Sequence, residues 1–435
     1  IERIHMMAQR VDRFLCLYAR TGDQFENRRE TVVDFGQIAD QTLSAAELIH
    51  SRAFFGFVKQ GERTLPVADQ ALCAGQSAMF GFECVEFVRA NFVLPCGGEV
   101  DASSAKELNS YDDRNFHVRA TSGAEYTLKV HNGVESQNQP LLDAQSAMMR
   151  HLTASGVKCP CPVVGVDGHD IARMNLPLRQ GARDARRDHA VRVLTWVDGS
   201  IADDCRDAHT PAFMRELGAF LGRMVQALES FSHPGAERWH QWDNANALTV
   251  RKFMDALEDP ARRAIAEGVL DDFEAKVIPM AGSLRRGATH NDANEQNVIV
   301  RLETSGECAG PFRATPVGII DFGDINVSWR VNDVAIACAY YTLNKRDPVG
   351  DAAQCLAGFE TEFPLTDAER SIVPTLMAAR LVVSCVLGAY SAARDPANKE
   401  YLLTTQKPGW EVLGALRAAG DEEILWRFAT ARSER

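Results

Sequence analysis

No cysteine in this chain stands in the spacing of a zinc site or a secreted disulfide framework. Eleven are scattered along it, an odd number, and a reducing compartment follows. The one close pair, Cys159-Pro160-Cys161-Pro162, has no second ligand pair near it and reads as an extended connector. Basic charge is also short: 47 Lys and Arg face 59 Asp and Glu, a formal net charge of -12. That argues against a nucleic-acid partner, since phosphate backbones need a basic face, and it mildly favours a cationic substrate. The longest apolar run, 374–390, contains Arg380 and falls short of the roughly 20 residues of a membrane span, so it reads as a buried helix with no membrane role. No signal peptide is visible at an amino end that begins Ile1 rather than Met, and the expected location is cytoplasmic. Two phosphate-binding patterns are missing as well. No G-x-x-x-x-G-K-[ST] exists, which removes the P-loop folds, and no G-x-G-x-x-G covers the first hairpin.

What is present is an ordinary globular composition, 46% hydrophobic and 24% charged over 435 residues, enough for two or three lobes with cores. Residues 1–100 carry no motif to which chemistry attaches. Their helical patterning, over 41–53 and 67–78, is moderate, and the echoing strings 53–57 and 79–82 are two copies where a repeat array needs at least three. They are expected to be an extension, with a boundary at the turn cluster Pro95-Cys96-Gly97-Gly98. From 101 to 198 the pattern is that of a small sheet with one helix. Strands are expected over 115–120, 125–131, 163–166 and 191–196, and a helix over 139–154 with Pro140 in its first turn. From 199 to 435 the chain reads mainly as helices, at 211–230, 250–256, 261–281, 332–343, 366–390 and 409–419. Thr366-Asp367-Ala368-Glu369 is a capping box, and two strand-like runs, 298–302 and 317–320, each abut acids. The pattern predicts an α+β fold: a small antiparallel-sheet lobe followed by a larger, mainly helical one.

The chemistry-bearing pattern is His290-Asn291-Asp292-Ala293-Asn294-Glu295-Gln296-Asn297, with His, Asp and Asn in the spacing of a kinase catalytic loop. One carboxylate there can accept a hydroxyl proton, while an amide oxygen a short loop away holds a metal without adding a second charge beside the base. Downstream, the apolar run Gly318-Ile319-Ile320 delivers Asp321 into Asp321-Phe322-Gly323-Asp324, a carboxylate placed to hold Mg²⁺ on transferred phosphates. Upstream, Tyr126-Thr127-Leu128-Lys129-Val130 sets a lysine in an apolar alternating strand ahead of the lone helix, where it reads as a cation aimed at nucleotide phosphates. Kinases orient that lysine with a helix glutamate. The corresponding turn here offers Gln145, which could hydrogen-bond the lysine without neutralising it. In the hairpin position stands Ser110-Tyr111-Asp112-Asp113-Arg114-Asn115-Phe116, whose backbone amides, with the Ser110 and Asn115 side chains, could cradle phosphate oxygens.

Taken together, these strings resemble the aminoglycoside phosphotransferase and choline kinase superfamily, and within it the hydroxylysine kinase family. Val193-Leu194-Thr195-Trp196 and Ala357-Gly358-Phe359-Glu360 add to the match, which runs from about residue 106 to 416. The resemblance implies a two-lobed, protein-kinase-like fold and a small-molecule kinase. By it, Asp292 is the base, Asn297 and Asp321 hold Mg²⁺ and Lys129 binds phosphates; Ser110, Tyr111, Asn115 and Gln145 are the further candidates on the nucleotide side. Leu194 to Trp196 form the hinge facing the nucleobase, and Asp333 is a structural acid, read as a cap. GTP or ATP is the implied donor, and the implied acceptor is a small hydroxylated amine or amino acid, hydroxylysine first, with Asp324 as the candidate partner of its amine. Asn291 stands where the family usually has glycine, and asparagine tolerates unusual φ better than most residues. The rival readings are another superfamily kinase, acting on an amino alcohol, homoserine or an aminoglycoside, and a pseudokinase. A protein kinase is disfavoured because no Ala-Pro-Glu follows Asp321.

Overall fold

The computed structural model describes residues 77–108, 110, 113–177, 186–303, 313–394 and 399–434. The helix expected over 41–53, most of that expected over 67–78 and the first of the two echoing strings lie outside them. Described structure opens with helix α1 (Ser77–Asn91), followed by β1 (Val100–Leu108), β2 (Arg114–Ala120) and β3 (Glu125–Val130). Helix α2 (Gln139–Ala154) then leads to β4 (Ala172–Pro177) and β5 (Arg186–Thr195). The strands form a five-stranded sheet in the order β1-β2-β3-β5-β4, antiparallel at every pairing.

Alternation explains the sheet. Phe116, Val118 and Ala120 on β2 and Tyr126, Leu128 and Val130 on β3 are buried, the every-second-residue pattern of a strand with one apolar face. That face is covered by Cys84, Val85 and Val88 of α1, with Phe92 and Leu94 after it. The N-lobe core therefore starts well upstream of the turn cluster at 95–98, and a boundary at 100 cuts through it. β1 was not legible because its sequence, Val-Asp-Ala-Ser-Ser-Ala-Lys-Glu-Leu, is polar and interrupted by a register shift between Asp101 and Lys106. The strand expected over 163–166 reduces to isolated bridges at Pro162 and Gly165. Pro160 and Pro162 have no amide hydrogen to sustain a ladder, so the segment runs along the sheet as the extended connector its prolines suggest.

The C-lobe begins with β6 (Ser200–Ile201) and α3 (Pro211–Ala227), and after 3₁₀ turns at Asn244–Ala256 continues with α4 (Pro260–Lys276). Next come β7 (Arg286–Thr289), β8 (Val298–Glu303), β9 (Arg313–Ile319) and β10 (Asn326–Trp329). The chain closes with α5 (Val331–Tyr341), α6 (Pro348–Glu362), α7 (Asp367–Arg394), α8 (Lys399–Leu402) and α9 (Gln406–Ser433). The capping box forms at the start of α7: Thr366 N donates to Glu369 Oε2 at 2.9 Å and Glu369 N to Thr366 Oγ1 at 3.2 Å. α7 is long and apolar enough to cross a membrane, but 89% of its most apolar window is buried inside the protein, as a core helix requires. α2 contributes Leu141, Met148, Met149 and Leu152 to the C-lobe core rather than to the sheet's core, so the helix and the C-lobe pack as one body.

Helix α6, absent from the expected set, packs closely on α3 through glycines on both. A Cβ on Gly218 would lie 1.8 Å from Cys355 O, and one on Gly358 1.9 Å from Arg215 O. Gly358, part of the family-like string, is thus a close-approach residue. Gly358→Ala is expected to force the helices apart and destabilise the C-lobe by about 1–3 kcal/mol, read as a lowered midpoint in thermal unfolding. An unchanged midpoint would contradict the packing.

Candidate active site

Two connections, β7 to β8 and β9 to β10, each crossing between the sheet of β6, β8 and β9 and that of β7 and β10, bring the expected residues together. The loop 290–297 joins β7 to β8, and β8 pairs with β9 in the register Val298↔Ile319, so the chain leaving β9 runs beside the loop. Ile320 N donates to Asn297 O at 2.8 Å, and Asp321 follows immediately. Asn291 and Asp321 both adopt left-handed backbone, φ 65° and 58°. The asparagine in the usual glycine position therefore takes up the conformation glycine would, as the residue type allows. Asp333, on the first turn of α5, accepts from His290 N at 3.2 Å and Asn291 N at 2.8 Å. It anchors the loop and makes no cap bond to its own helix, a correction to the cap reading. Burial holds His290 down at about 4, so it is neutral; its ring meets Ile320 O at 3.1 Å and the edge of Phe322.

Asp292 is the most heavily supported side chain of the loop. Asn297 Nδ2 donates to its Oδ2 at 2.8 Å and to its backbone oxygen at 2.9 Å, and Asn294 Nδ2 reaches both carboxylate oxygens at 3.1 Å. From the middle of α7, Arg380 Nη2 donates to Oδ1 at 3.0 Å. That guanidinium, 1% exposed, also bonds the Tyr340 hydroxyl at 3.1 Å and the Trp242 carbonyl, so its geometry is fixed from three sides. Burial raises the Asp292 carboxyl above its usual range, Arg380 pulls it back, and Asp321 adds to the rise. The sequence had shown Arg380 only as a charge within an apolar run; no local pattern marks a partner so far along the chain.

With the Asn297 amide nitrogen committed to Asp292, its amide oxygen remains, and with the Asp321 carboxylate that follows the Ile320–Asn297 backbone contact it offers hard donors of the kind Mg²⁺ takes. Lys129 lies on the other side of Asp321, with Nζ 3.4 Å from Oδ1, and the lysine holds the Asp321 carboxyl below its usual range. Asn115 sits directly across β2 and β3 from Lys129, and its Oδ1 is buried without a hydrogen-bond partner among the described residues. Ser110 is half-buried just ahead of β2; Tyr111 lies outside the described residues.

Gln145 is the expected residue that goes elsewhere. It is fully buried on α2, and its Oε1 accepts from Arg192 Nη2 of β5. The partner of Lys129 is Asp113, at 2.7 Å. Leu194 is buried in β5 opposite Thr127, while Trp196, where the chain leaves the sheet for the C-lobe, donates its amide to Glu125 O and packs its ring on His117 at 4.4 Å.

Asp324 faces the C-lobe side of the same turn. His240 Nε2 lies 3.4 Å from its Oδ1. Burial, Arg238 and Arg380 keep His240 neutral, and burial followed by the charge of Asp292 raises Asp324 well above the usual carboxylate range. Arg238 holds the turn itself, donating to Gly323 O at 2.6 Å and Ile325 O at 2.9 Å. Asp243 secures the 240s segment by accepting from Ser328, Asn326 and Asn332 at 2.6 to 3.1 Å.

Residues 104–364 match the model of a phosphotransferase enzyme family. The chain is 31% identical to a hydroxylysine kinase of Mus musculus over 344 residues, covering 76% of this chain and 89% of that protein. It is 30% identical to a hydroxylysine kinase of Xenopus laevis over 347 residues, covering 77% and 90%. Among solved structures, a microcompartment-associated aminopropanol kinase superposes with a TM-score of 0.58 at 18% identity, over 75% of this chain and 96% of that one, which shows the kinase-like fold.

Proposed function

This chain belongs to the phosphotransferase enzyme family and stands with the hydroxylysine kinases within it, and from that premise we propose that it transfers the γ-phosphate of GTP or ATP to the hydroxyl of hydroxylysine. It is a phosphotransferase with a hydroxyl acceptor. The observation that supports phosphoryl transfer at this site is the convergence of Asp292, Asn297, Asp321 and Lys129 through the contacts Asn297–Asp292, Ile320–Asn297 and Lys129–Asp321, while hydroxylysine as the acceptor rests on the likeness to the hydroxylysine kinases.

In this reading Lys129 neutralises nucleotide phosphate charge, while Asp321 and the Asn297 amide oxygen would hold Mg²⁺. When bound, the ion supplies electrostatic stabilisation of charge on the transferring phosphoryl group. Asp292, fixed by Arg380 and two asparagine amides, takes the proton of the attacking hydroxyl, so the nucleophile and its acceptor of protons are aligned before reaction. Asp324 binds the acceptor's amine. Its carboxyl is raised partly by the Asp292 charge, and a substrate ammonium placed beside them relieves that repulsion. The same negative field suits the acidic composition. Leu194 to Trp196 face the nucleobase.

An acceptor screen tests the reading: nucleoside diphosphate release with Mg²⁺ and ATP or GTP, against hydroxylysine, ethanolamine, choline, homoserine and kanamycin. Hydroxylysine should give a specificity constant about tenfold or more above the others, the worth of one good charged contact. If ethanolamine or choline outperforms it, the acceptor assignment fails and the phosphotransferase stands.

A further inference from the structure

The lysine expected to meet the phosphates lies on the sheet, and the helix that ordinarily supplies its glutamate partner presents Gln145 instead, already bonded to Arg192. Arg192 occupies the α2 side completely. Its Nη1 reaches Leu142 O and Ser146 Oγ, and its Nε donates to His131 Nε2 at 3.0 Å. His131 therefore accepts on Nε2, carries its proton on Nδ1 and donates it to Glu135 Oε2 at 3.2 Å. Lys129 is left to Asp113, whose Oδ2 lies 2.7 Å away and whose Oδ1 is fixed by Asn132 N at 2.8 Å and Asn132 Nδ2 at 3.0 Å. Both side chains are 9% exposed. Asp113, His131 and Glu135 offer ligand atoms within 4.8 Å of one another, as a metal site would. The Lys129 ammonium already holds the Asp113 oxygen and the Arg192 guanidinium the other ring nitrogen of His131, and two fixed cations there oppose a divalent ion.

Resting on the kinase reading above, we propose that Asp113 is the positioning residue for Lys129, replacing the helix glutamate, and that it keeps the lysine off the carboxylate needed by Mg²⁺. The geometry sets up a competition. Among the described residues Lys129 has two acids within ion-pair reach, Asp113 at 2.7 Å and Asp321 at 3.4 Å. With Asp113 present the ammonium is held nearer the sheet and Asp321 keeps an oxygen for the ion. Without the Asp113 charge, Asp321 is the remaining counter-ion and the lysine closes on it. Nucleotide and Mg²⁺ then meet a site whose cation and anion neutralise each other.

Calorimetric titration with Mg²⁺ and ATP or GTP, on the whole chain, tests this without requiring turnover. Asp113→Asn should weaken Mg-nucleotide binding about tenfold or more and raise the Mg²⁺ concentration needed for half-saturation, with the KM for the acceptor little changed. Asp113→Glu, which keeps the charge but moves it by a methylene, should fall between the two. Gln145→Glu added to Asp113→Asn should not restore affinity, because position 145 belongs to Arg192. A merely structural role predicts a lowered unfolding midpoint with nucleotide affinity intact in the folded fraction. Wild-type affinity in folded Asp113→Asn, or restoration by Gln145→Glu, overturns the proposal. If Asp113→Asn does not fold, wild-type affinity in Asp113→Glu overturns it instead. A wild-type protein that binds no Mg-nucleotide would sink the kinase reading itself, a different result.

Discussion

Asp292→Asn is expected to lower kcat by about 10²- to 10⁴-fold, roughly 3 to 5 kcal/mol of barrier, while leaving Mg-nucleotide affinity nearly unchanged. The expectation follows from what the substitution removes and what it leaves. The Asn294 and Asn297 amides can still donate to the side-chain oxygen of an asparagine, and Arg380 keeps the Tyr340 hydroxyl and the Trp242 carbonyl. The loop itself hangs on the Asp333 contacts to the His290 and Asn291 amides, which the mutation does not touch. Lys129, Asp321 and the Leu194 to Trp196 segment are intact. The loss is the proton acceptor together with its ion pair to the buried Arg380, so it should appear in turnover and in the unfolding midpoint rather than in the calorimetric titration. Near-normal turnover in a folded Asp292→Asn protein would mean that the loop spacing was a coincidence.

Asp321→Asn should fail differently, weakening Mg-nucleotide binding by about tenfold or more and lowering turnover by about 10²-fold or more. A hard cation depends on anionic oxygen, and Asn297 offers only an uncharged amide. The substitution also takes one of two acids from Lys129. That lysine then rests wholly on Asp113, which is closer and keeps it charged. The protein should therefore remain folded and bind free nucleotide better than it binds the Mg²⁺ complex relative to wild type. Equal Mg²⁺ dependence in mutant and wild type would contradict the metal assignment.

The parts of this site that could be read from sequence are those whose logic is local. A catalytic loop keeps its His, Asp and Asn within eight residues, and an acid after an apolar run is visible because the strand that delivers it is visible. The hairpin of β2 and β3 and the capping box at Thr366 and Glu369 are short-range for the same reason. Arg380 was hidden because its partner Asp292 is 88 positions away, and an arginine in an apolar helix looks like an interruption until the acid it meets is known. Asp113 was in view, inside a string singled out for its polarity, but its bond to Lys129 depends on how β2 and β3 register. Gln145 was misplaced by analogy with the helix glutamate. The N-lobe boundary was misplaced because α1 joins the sheet core through Cys84, Val85 and Val88, residues whose pairing with strands after the turn cluster no window of sequence displays.

The central claim is that the chain moves phosphate from a nucleotide onto an acceptor hydroxyl rather than to water. Phosphorus NMR of the wild-type reaction with Mg²⁺, GTP or ATP and hydroxylysine tests it directly. A phosphomonoester resonance should grow in step with nucleoside diphosphate, depend on the acceptor, and be lost on the same time scale in Asp292→Asn. Accumulation of inorganic phosphate alone, or no nucleotide consumption by a folded protein with every acceptor in the screen, would contradict the account.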